Sequence, residues 1–505
     1  MKITFLIPPK DEKGRNPERL FGCNFGLYAQ QNIFILYSAS TLEQKGHEVV
    51  VKDCPVNNIN WSKFKNWLTK DNSDVYVFYT PFLAEEVDKK AHKLIREIFP
   101  NRKIIFSGPE CSSRPEAFLL DINTFVIRGE PENVFEQLFN DDLKILNNDL
   151  DDVQGLSYRC EIINEDLREG KPYGAGITIL KGDIHTNPSR LIKNLDELPF
   201  PARHLLDKEK YFNPKLPRPS TVLLTSRGCF GQCIYCIPCS LSFANEIEFK
   251  KTHKFKPPVR MRSPENIYEE VKQIKKMGYK SFYIIDDNFT TLKGKKYEDR
   301  IIKICNLIKP LNLIWGCLAR ADQIKNEEMI KAMADAGCKY VDLGIESFNQ
   351  KTLDFVKKGC KVEDNYTAIL LLKKYKINPK INVLLGVSPF ETKEDIHWMV
   401  EVLKILDIEF ASFDIVIPHP RTEIYDIAKK NEWFATEHND YKPVDPLKEG
   451  TLNLPNLSKQ KLEELVRWAN REFYLRPSYI WLRLKKIRSF QELKDLFSIA
   501  LKLFR

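Results

Sequence analysis

The 505-residue sequence lacks an apolar run long enough to span a bilayer. Its one long charge-free stretch, Leu20 to Leu42, contains Asn24, Gln30, Gln31, Asn32, Ser38 and Ser40. That polarity makes a poor membrane span and predicts a buried loop and helix. A leader is not expected at the start of this sequence. Met1–Ile7 runs straight into Pro8-Pro9, which is too short for a signal peptide and reads as a first strand. Cysteine is not dense enough for a disulfide scaffold. Of the 12 cysteines, Cys23, Cys54, Cys111, Cys160, Cys305, Cys317, Cys338 and Cys360 stand singly, and only Cys229, Cys233, Cys236 and Cys239 crowd together. This pattern points to a reducing, cytoplasmic compartment. The body of the chain has little excess charge. The net charge is +9, and Arg471–Arg505 alone carries nine basic and three acidic residues. The remainder is close to neutral, so no nucleic-acid partner is expected.

A hydrophobic share of 43% over this length supports large cores and two or three domains. Short apolar runs alternate with helical patterns at Ile3–Ile7, Glu48–Val51, Val75–Tyr79, Lys103–Phe106 and Thr124–Ile127. Helices are predicted at Ser38–Lys45, closed by Gly46, and at Ala84–Ile98. The alternation predicts an α/β, doubly wound Rossmann/flavodoxin-like domain over residues 1–150, with ligands at the carboxyl ends of the strands. Residues 151–215 read as a connector rich in Gly170, Gly174, Gly176 and Gly182, with strand-like pieces at Gly155–Arg159 and Gly176–Lys181.

A cleaner rhythm spans residues 216–425, with strands at Thr221–Leu224, Ser281–Ile285, Leu313–Ala319, Tyr340–Ile345, Lys380–Leu385 and Phe410–Val416. The first helix among them has Ser263 as N-cap, Pro264 at N1 and Gly278 after its last turn. Six strands with crossover helices make a partial (β/α)6 TIM-like barrel, its strand ends on one rim. Residues 426–505 turn helical. Leu462, Leu465, Val466, Ala469 and Phe473 form a stripe, and a last helix starts at Ser489.

Directly after the first barrel strand comes Ser226-Arg227-Gly228-Cys229-Phe230-Gly231-Gln232-Cys233-Ile234-Tyr235-Cys236. Three thiolates in a C-x3-C-x2-C loop hold three corners of an iron–sulfur cube and leave the fourth iron open. Zinc is the chemical competitor, with Cys239 as its fourth ligand. The spacing at a strand-to-loop junction favours the cluster.

The segment resembles the radical S-adenosylmethionine (SAM) superfamily signature, with Tyr235 in its aromatic slot. The resemblance implies a [4Fe–4S] cluster on Cys229, Cys233 and Cys236. It also implies SAM on the open iron, reductive cleavage to a 5′-deoxyadenosyl radical, and a one-electron reductant such as flavodoxin or ferredoxin. Cys239 is then a small buried or loop thiol. SAM contacts are expected from Tyr235, Asp286 and Asp287, Arg320, Glu346 and Ser347, and Gly386. For the charged residues among these the competing reading is an interior ion pair. Two departures from the family pattern stand out: Asp286-Asp287-Asn288 where Gly-Gly-Glu is common, and Pro389-Phe390 where Pro-Gly is usual.

The whole layout resembles the cobalamin (B12)-binding radical SAM class, including the anaerobic magnesium-protoporphyrin ester cyclase and hopanoid-biosynthesis groups. Ser107-Gly108-Pro109-Glu110 and Arg128-Gly129-Glu130-Pro131-Glu132 resemble that class's strand-end turns. Thr80, Gly108, Glu110, Gly129 and Glu130 are the cofactor candidates this implies. A D-x-H-x-x-G motif is absent, and Asp183-Ile184-His185 is only a fragment of one. Any cobalamin is therefore expected to lack a protein histidine on cobalt. The alternative is a structural Rossmann-like domain that binds no cofactor.

The mixed basic and aromatic tail after Tyr474 suits peripheral contact at the inner face of the membrane. A hydrophobic or lipid-like small-molecule substrate is expected with it. The competing reading of the tail is a solvated cap. The functional expectation is methylation, or rearrangement or cyclisation, of an unactivated carbon. A non-catalytic cobalamin or SAM sensor and a methylthiotransferase-like enzyme are the alternatives. The latter is disfavoured because Cys23, Cys54 and Cys111 do not form a second triad.

Overall fold

The computed structural model describes all residues except Cys23, Leu27, Asp141, Asp142, Asn148, 160–182, 291–293, Pro443 and 487–505. The expected strand Gly176–Lys181, the four connector glycines named above, Cys160 and the helix from Ser489 therefore lie outside the described residues. Two units form. The first holds Met1–Cys23, Asn32–Asp207 and Cys239–Pro257, and the second holds Asn24–Gln31, Lys208–Pro238 and Pro258–Arg505.

Seven strands make the sheet of the first unit. They are β1 (Lys2–Ile7), β2 (Glu48–Asp53), β3 (Val75–Tyr79), β4 (Lys103–Ser107), β5 (Thr124–Ile127), β6 (Leu156–Arg159) and β7 (Ile184–Thr186). Their order is β2-β1-β3-β4-β5-β6-β7. The first five pair in parallel and the last two antiparallel. The five parallel strands follow the flavodoxin-like order. The Asp183-Ile184-His185 fragment supplies the sheet edge β7, where the His185 ring stacks on Tyr158.

Helices α1 (Ile33–Gln44), α2 (Trp61–Leu68), α3 (Glu85–Ile98), α4 (Pro109–Ser113), α5 (Pro131–Leu138) and α6 (Lys144–Asn147) join these strands. The start of α1 corrects the expected Ser38. The Asn32 side chain accepts from the Phe34 and Ile35 amides and caps the helix there. Nine of its 12 residues are buried, so no polar face marked its first turn. A seventh helix, α7 (Ser240–His253), follows the cysteine loop in sequence but belongs to this first unit. Within the unit Glu248 of α7 forms a buried ion pair with Arg128, and Lys251 donates to the Ser112 carbonyl at 3.2 Å.

In the second unit the strands β8 (Ser220–Leu223), β11 (Ser281–Ile284), β12 (Ile314–Arg320), β13 (Cys338–Glu346), β14 (Asn378–Leu385) and β15 (Phe410–Ile415) form a six-stranded sheet. The order is β15-β14-β13-β12-β11-β8 and every pairing is parallel. A two-residue pair, β9 (Ser226–Arg227) with β10 (Arg260–Met261), stands apart. The helices are α8 (Pro264–Lys276), α9 (Lys295–Ile308), α10 (Glu327–Asp335), α11 (Gln350–Phe355), α12 (Val362–Lys374) and α13 (Lys393–Ile405). After β15 come α14 (Glu423–Lys430), α15 (Lys459–Tyr474) and α16 (Pro477–Lys486). Helix α8 starts as its sequence predicts: Ser263 accepts from the Asn266 amide, and Ile267, Val271 and Ile274 are buried.

Strand alternation gives this sheet two unlike faces. On the outer face Phe282, Cys317, Leu343, Val383 and Phe413 join the helices in one apolar core. The intervening positions include Tyr283, Asp342, Glu346, Lys380, Asn382, Ser412 and Asp414, and they make the inner face polar. Buried charge on that face is paired: Lys215 Nζ lies 2.7 Å from Asp342 Oδ1, and Lys380 lies 4.0 Å from Asp342 Oδ2.

Candidate active site

The cysteine loop is anchored before its first cysteine. Asp286, fully buried just beyond β11, accepts from the Thr225 amide at 2.6 Å and from Ser226 Oγ at 2.7 Å. Burial pushes its carboxyl pKa up, and the hydrogen bonds from Ser226 and Thr225 oppose that. Asp287 accepts from the Gly228 amide at 2.9 Å. The acidic pair thus holds the strand end that delivers the thiols.

Cys229, Cys233 and Cys236 are half-buried free thiols. Gly231 keeps space between two of them. A Cβ on Gly231 would stand 3.5 Å from Cys229 Sγ, 3.7 Å from Cys233 Sγ and 3.0 Å from Arg320 Nη1. The Gly231 amide donates to Cys229 Sγ at 3.4 Å, and Arg320 Nη1 donates to Cys233 Sγ at 3.5 Å. Soft thiolates that receive N–H donors are the ligand environment of an iron–sulfur cluster, so this loop fits that group. Among the described residues no group of three or more His, Cys, Asp or Glu is gathered closely enough to hold a metal ion. Cys239 lies in the first unit, buried, with its thiol 3.4 Å from Ser242 Oγ.

Charged rim residues meet partners within the protein. Arg320 Nε donates to Asp322 Oδ1 at 2.9 Å, and its guanidinium lies over the Phe230 ring. Glu346 accepts from Lys358 Nζ at 2.7 Å, and the same ammonium lies 3.4 Å from the Tyr235 hydroxyl. Burial works against a charged Lys358, but Glu346 outweighs it and the pKa is raised. Glu346 occupies left-handed backbone at φ 66°, where the β13–β14 register shifts. A non-glycine residue held there is strained, as functional sites often are. Gly344 makes room for this arrangement, since a Cβ on it would stand 2.8 Å from Glu346 Oε1.

Ser347 Oγ accepts from the Asn349 amide at 3.1 Å. Gly386, at φ 70°, packs against Leu462 of α15, and its amide donates to Glu391. Lys358 was missed in the sequence. The fold exposes Lys357 and leaves only 5% of the Lys358 side chain accessible. His419, in the loop after β15, is buried and its pKa falls to about 3, which keeps it neutral.

The first-unit candidates gather at the ends of β3, β4 and β5, but their polar atoms are engaged internally. Thr80 Oγ1 donates to the buried Asp88 at 2.7 Å. Arg19 Nη2 is 2.7 Å from the same carboxylate. Gly108, at φ 103°, is required by the chain itself: a Cβ would stand 2.8 Å from the Thr80 carbonyl oxygen. Glu110 pairs with Arg114. The Gly129 amide donates to Ser112 Oγ at 3.0 Å, and Glu130 accepts from the Ile192 amide at 2.7 Å. All five candidates are buried. They shape the strand ends and, as placed, offer no open side-chain atom to a ligand.

A cysteine loop follows the first strand of a parallel half-barrel and carries donors to its sulfurs, an arrangement that fits a radical SAM domain. Residues 223–403 match the family model described as "Radical SAM superfamily". The chain is similar over nearly its full length to an uncharacterised methyltransferase of Pyrococcus horikoshii, 27% identical over 95% of this chain and 94% of the relative. It is 25% identical to cytidylyl-2-hydroxyethylphosphonate methyltransferase of Streptomyces wedmorensis, over 87% of this chain and 85% of that protein. Anaerobic magnesium-protoporphyrin IX monomethyl ester cyclase of Rubrivivax gelatinosus is 22% identical over 88% and 74%. Among solved structures, the fold is shared with the cobalamin-dependent SAM radical enzyme OxsB (TM-score 0.68, 18% identity, 98% of this chain and 70% of that one). It is also shared with the radical SAM methyltransferase TsrM of Kitasatospora setae (TM-score 0.62, 15% identity, 94% and 89%).

Proposed function

We propose that this protein is a radical SAM methyltransferase that uses a [4Fe–4S] cluster and cobalamin. The observation that carries the reading is the thiol loop at the end of β8, with Gly231 leaving room between the sulfurs of Cys229 and Cys233. Cys229, Cys233 and Cys236 would hold the cluster. When bound, cluster and SAM supply reductive cleavage of a sulfonium, and cobalamin supplies a carrier for a methyl group.

The chain's own part is positional. Asp286 and Asp287 fix the loop by accepting from Thr225, Ser226 and Gly228. Arg320 sets a fixed positive charge beside Cys233. Lys358 holds Glu346 and meets the Tyr235 hydroxyl, which keeps the aromatic ring of the cysteine loop in place. The loop Gly386–Glu391 closes on its own carboxylate. Cobalamin is supported by the five parallel strands in flavodoxin-like order and by the resemblance of the whole chain to cobalamin-dependent enzymes, rather than by the buried side chains at the strand ends.

Methyl transfer is favoured over cyclisation because the two relatives quoted at 25% identity or more are named methyltransferases. No described helix is long and apolar enough to cross a membrane. Exposed Ile480 and Trp481 on α16 support peripheral membrane contact. Liposome flotation with and without residues 474–505 tests that contact, and equal recovery in the soluble fraction discards it.

The central experiment is anaerobic reconstitution with iron and sulfide, then cobalamin and SAM under dithionite. The expected result is an iron–sulfur electron paramagnetic resonance signal, a bound cobalamin spectrum, and 5′-deoxyadenosine together with S-adenosylhomocysteine. Deoxyadenosine without homocysteine would replace methyl transfer by cyclisation or rearrangement. Zinc in the thiol loop would end the radical reading altogether.

A further inference from the structure

Three carboxylates on the inner face of the half-barrel, and Asp322 just beyond β12, have surroundings that differ in one respect. Asp322 contacts Arg320, Glu346 contacts Lys358, and Asp342 contacts Lys215 and Lys380. Asp414 of β15 is the exception. Among the described residues its one hydrogen bond is from Ser412 Oγ at 2.7 Å, and no cation lies within ion-pair distance of it.

Its neighbours sharpen the contrast. Ser412 pairs in register with Asn382 of β14, and Asp414 with Leu384. Asn382 has no hydrogen-bond partner among the described residues. Leu384 and Tyr235 both pack against the apolar cluster that contains Ile234 of the cysteine loop, so this corner of the inner face shares a core with that loop. Asn382, Ser412 and Asp414 are all half-buried, so each residue keeps part of its surface open. Burial is the main influence that raises the Asp414 pKa, and Asp445 and Glu346 add to it, while Ser412 and Lys380 oppose. A carboxylate in that position gains most from a ligand that brings its own positive charge.

We propose that Asn382, Ser412 and Asp414 form the substrate-recognition corner of the barrel, and that the substrate presents a protonated amine or amidine to Asp414. This rests on the radical SAM reading above and names the substrate class for it. It replaces the hydrophobic, lipid-like substrate expected from the tail. Asp414 accepts from the cationic nitrogen, and Asn382 supplies both a donor and an acceptor beside it. Ser412 keeps the carboxylate aimed.

The test uses the full-length, reconstituted protein with SAM, dithionite and a small-molecule extract of the cells that encode it. The extract is divided into an organic phase and, at pH 7, fractions bound to cation or anion exchangers. The readout is 5′-deoxyadenosine released above the extract-free rate. Stimulation is expected in the cation-exchanger fraction. D414N should need at least about tenfold more of that fraction for half-maximal stimulation, because the lost partner is a hydrogen-bonded charge. N382A should show a smaller shift of the same sign, and it carries the comparison if D414N does not fold. Stimulation confined to the organic, anion-bound or unretained fraction overturns the proposal. So does an unchanged requirement in both variants. If the parent releases no deoxyadenosine with any fraction, the radical reading itself has failed and this inference falls with it.

Discussion

The strand ends of the two units hold their candidate residues in opposite ways. In the second unit charged side chains project at the ends of β12 and β13 and meet partners from loops, as Arg320 meets Asp322 and Glu346 meets Lys358. In the first unit the strand ends are made of backbone in close contact, with Gly108 against Thr80 and Gly129 bonded to Ser112. The contrast teaches what kind of ligand each end suits. Paired charges can be redirected toward a small ionic cosubstrate, whereas glycine-lined backbone presents a shape.

The comparison breaks most completely at the thiols. Serine at Cys229, Cys233 or Cys236 should remove bound iron and reduce deoxyadenosine to background, with far-UV circular dichroism unchanged. Retained iron in all three single variants would contradict the cluster assignment.

The ion pairs come next. Removing one partner of a buried pair strands the other charge and costs about 3–5 kcal/mol. K358M should therefore destabilise the second unit by about that amount, measured by urea unfolding. R19M should do the same to the first unit, where it strands Asp88. Restoration by the double variant K358M/E346L would show that the cost was the orphaned charge.

A smaller effect is expected at Gly108. Alanine there meets the Thr80 carbonyl at positive φ, which costs about 1–3 kcal/mol. The same denaturant series reads it, and an unchanged midpoint would mean that the turn relaxes.

The last effect is a slope rather than a single shift. Glu391 is buried and its pKa is pushed up to about 8 by burial, against the backbone amides of Gly386 and Val387. The folded chain then holds a proton that the unfolded chain releases near pH 4.5. Stability from this group is full below about pH 4.5 and is lost as pH rises through about 8, by at most about 1.4 kcal/mol per pH unit. E391Q should flatten that decline in melting temperature. An equally steep decline in E391Q would assign it to other groups.

Much of this architecture was legible in the sequence because its signals are local. Apolar runs with crossover helices predicted all five parallel strands of the first unit and all six of the half-barrel. Ser263, Pro264 and Gly278 marked α8 by capping chemistry. The thiol spacing marked the loop. What escaped needed the third dimension. Lys358 and Lys357 are neighbours of identical type, and only tertiary packing buries one of them. Helix α1 was misplaced at its start because its burial on most sides erased the period that would mark its first turn. The hydrogen bonds that Asp286 accepts from Thr225 and Ser226 could not be foreseen from spacing. Asp414 showed no motif, since its interest lies in a partner it lacks.

Helix α7 has a practical consequence for anyone dividing this chain. It enters the sequence only after Pro238, yet it supplies Glu248 to the Arg128 of a sheet completed before residue 190. Residues 24–31 make the reverse exchange. A single cut therefore yields no self-sufficient fragment: expressing 1–207 alone would leave a buried guanidinium without its counter-ion. The polypeptide is braided rather than strung, and its thiol loop ends just before the chain passes from the second unit back into the first.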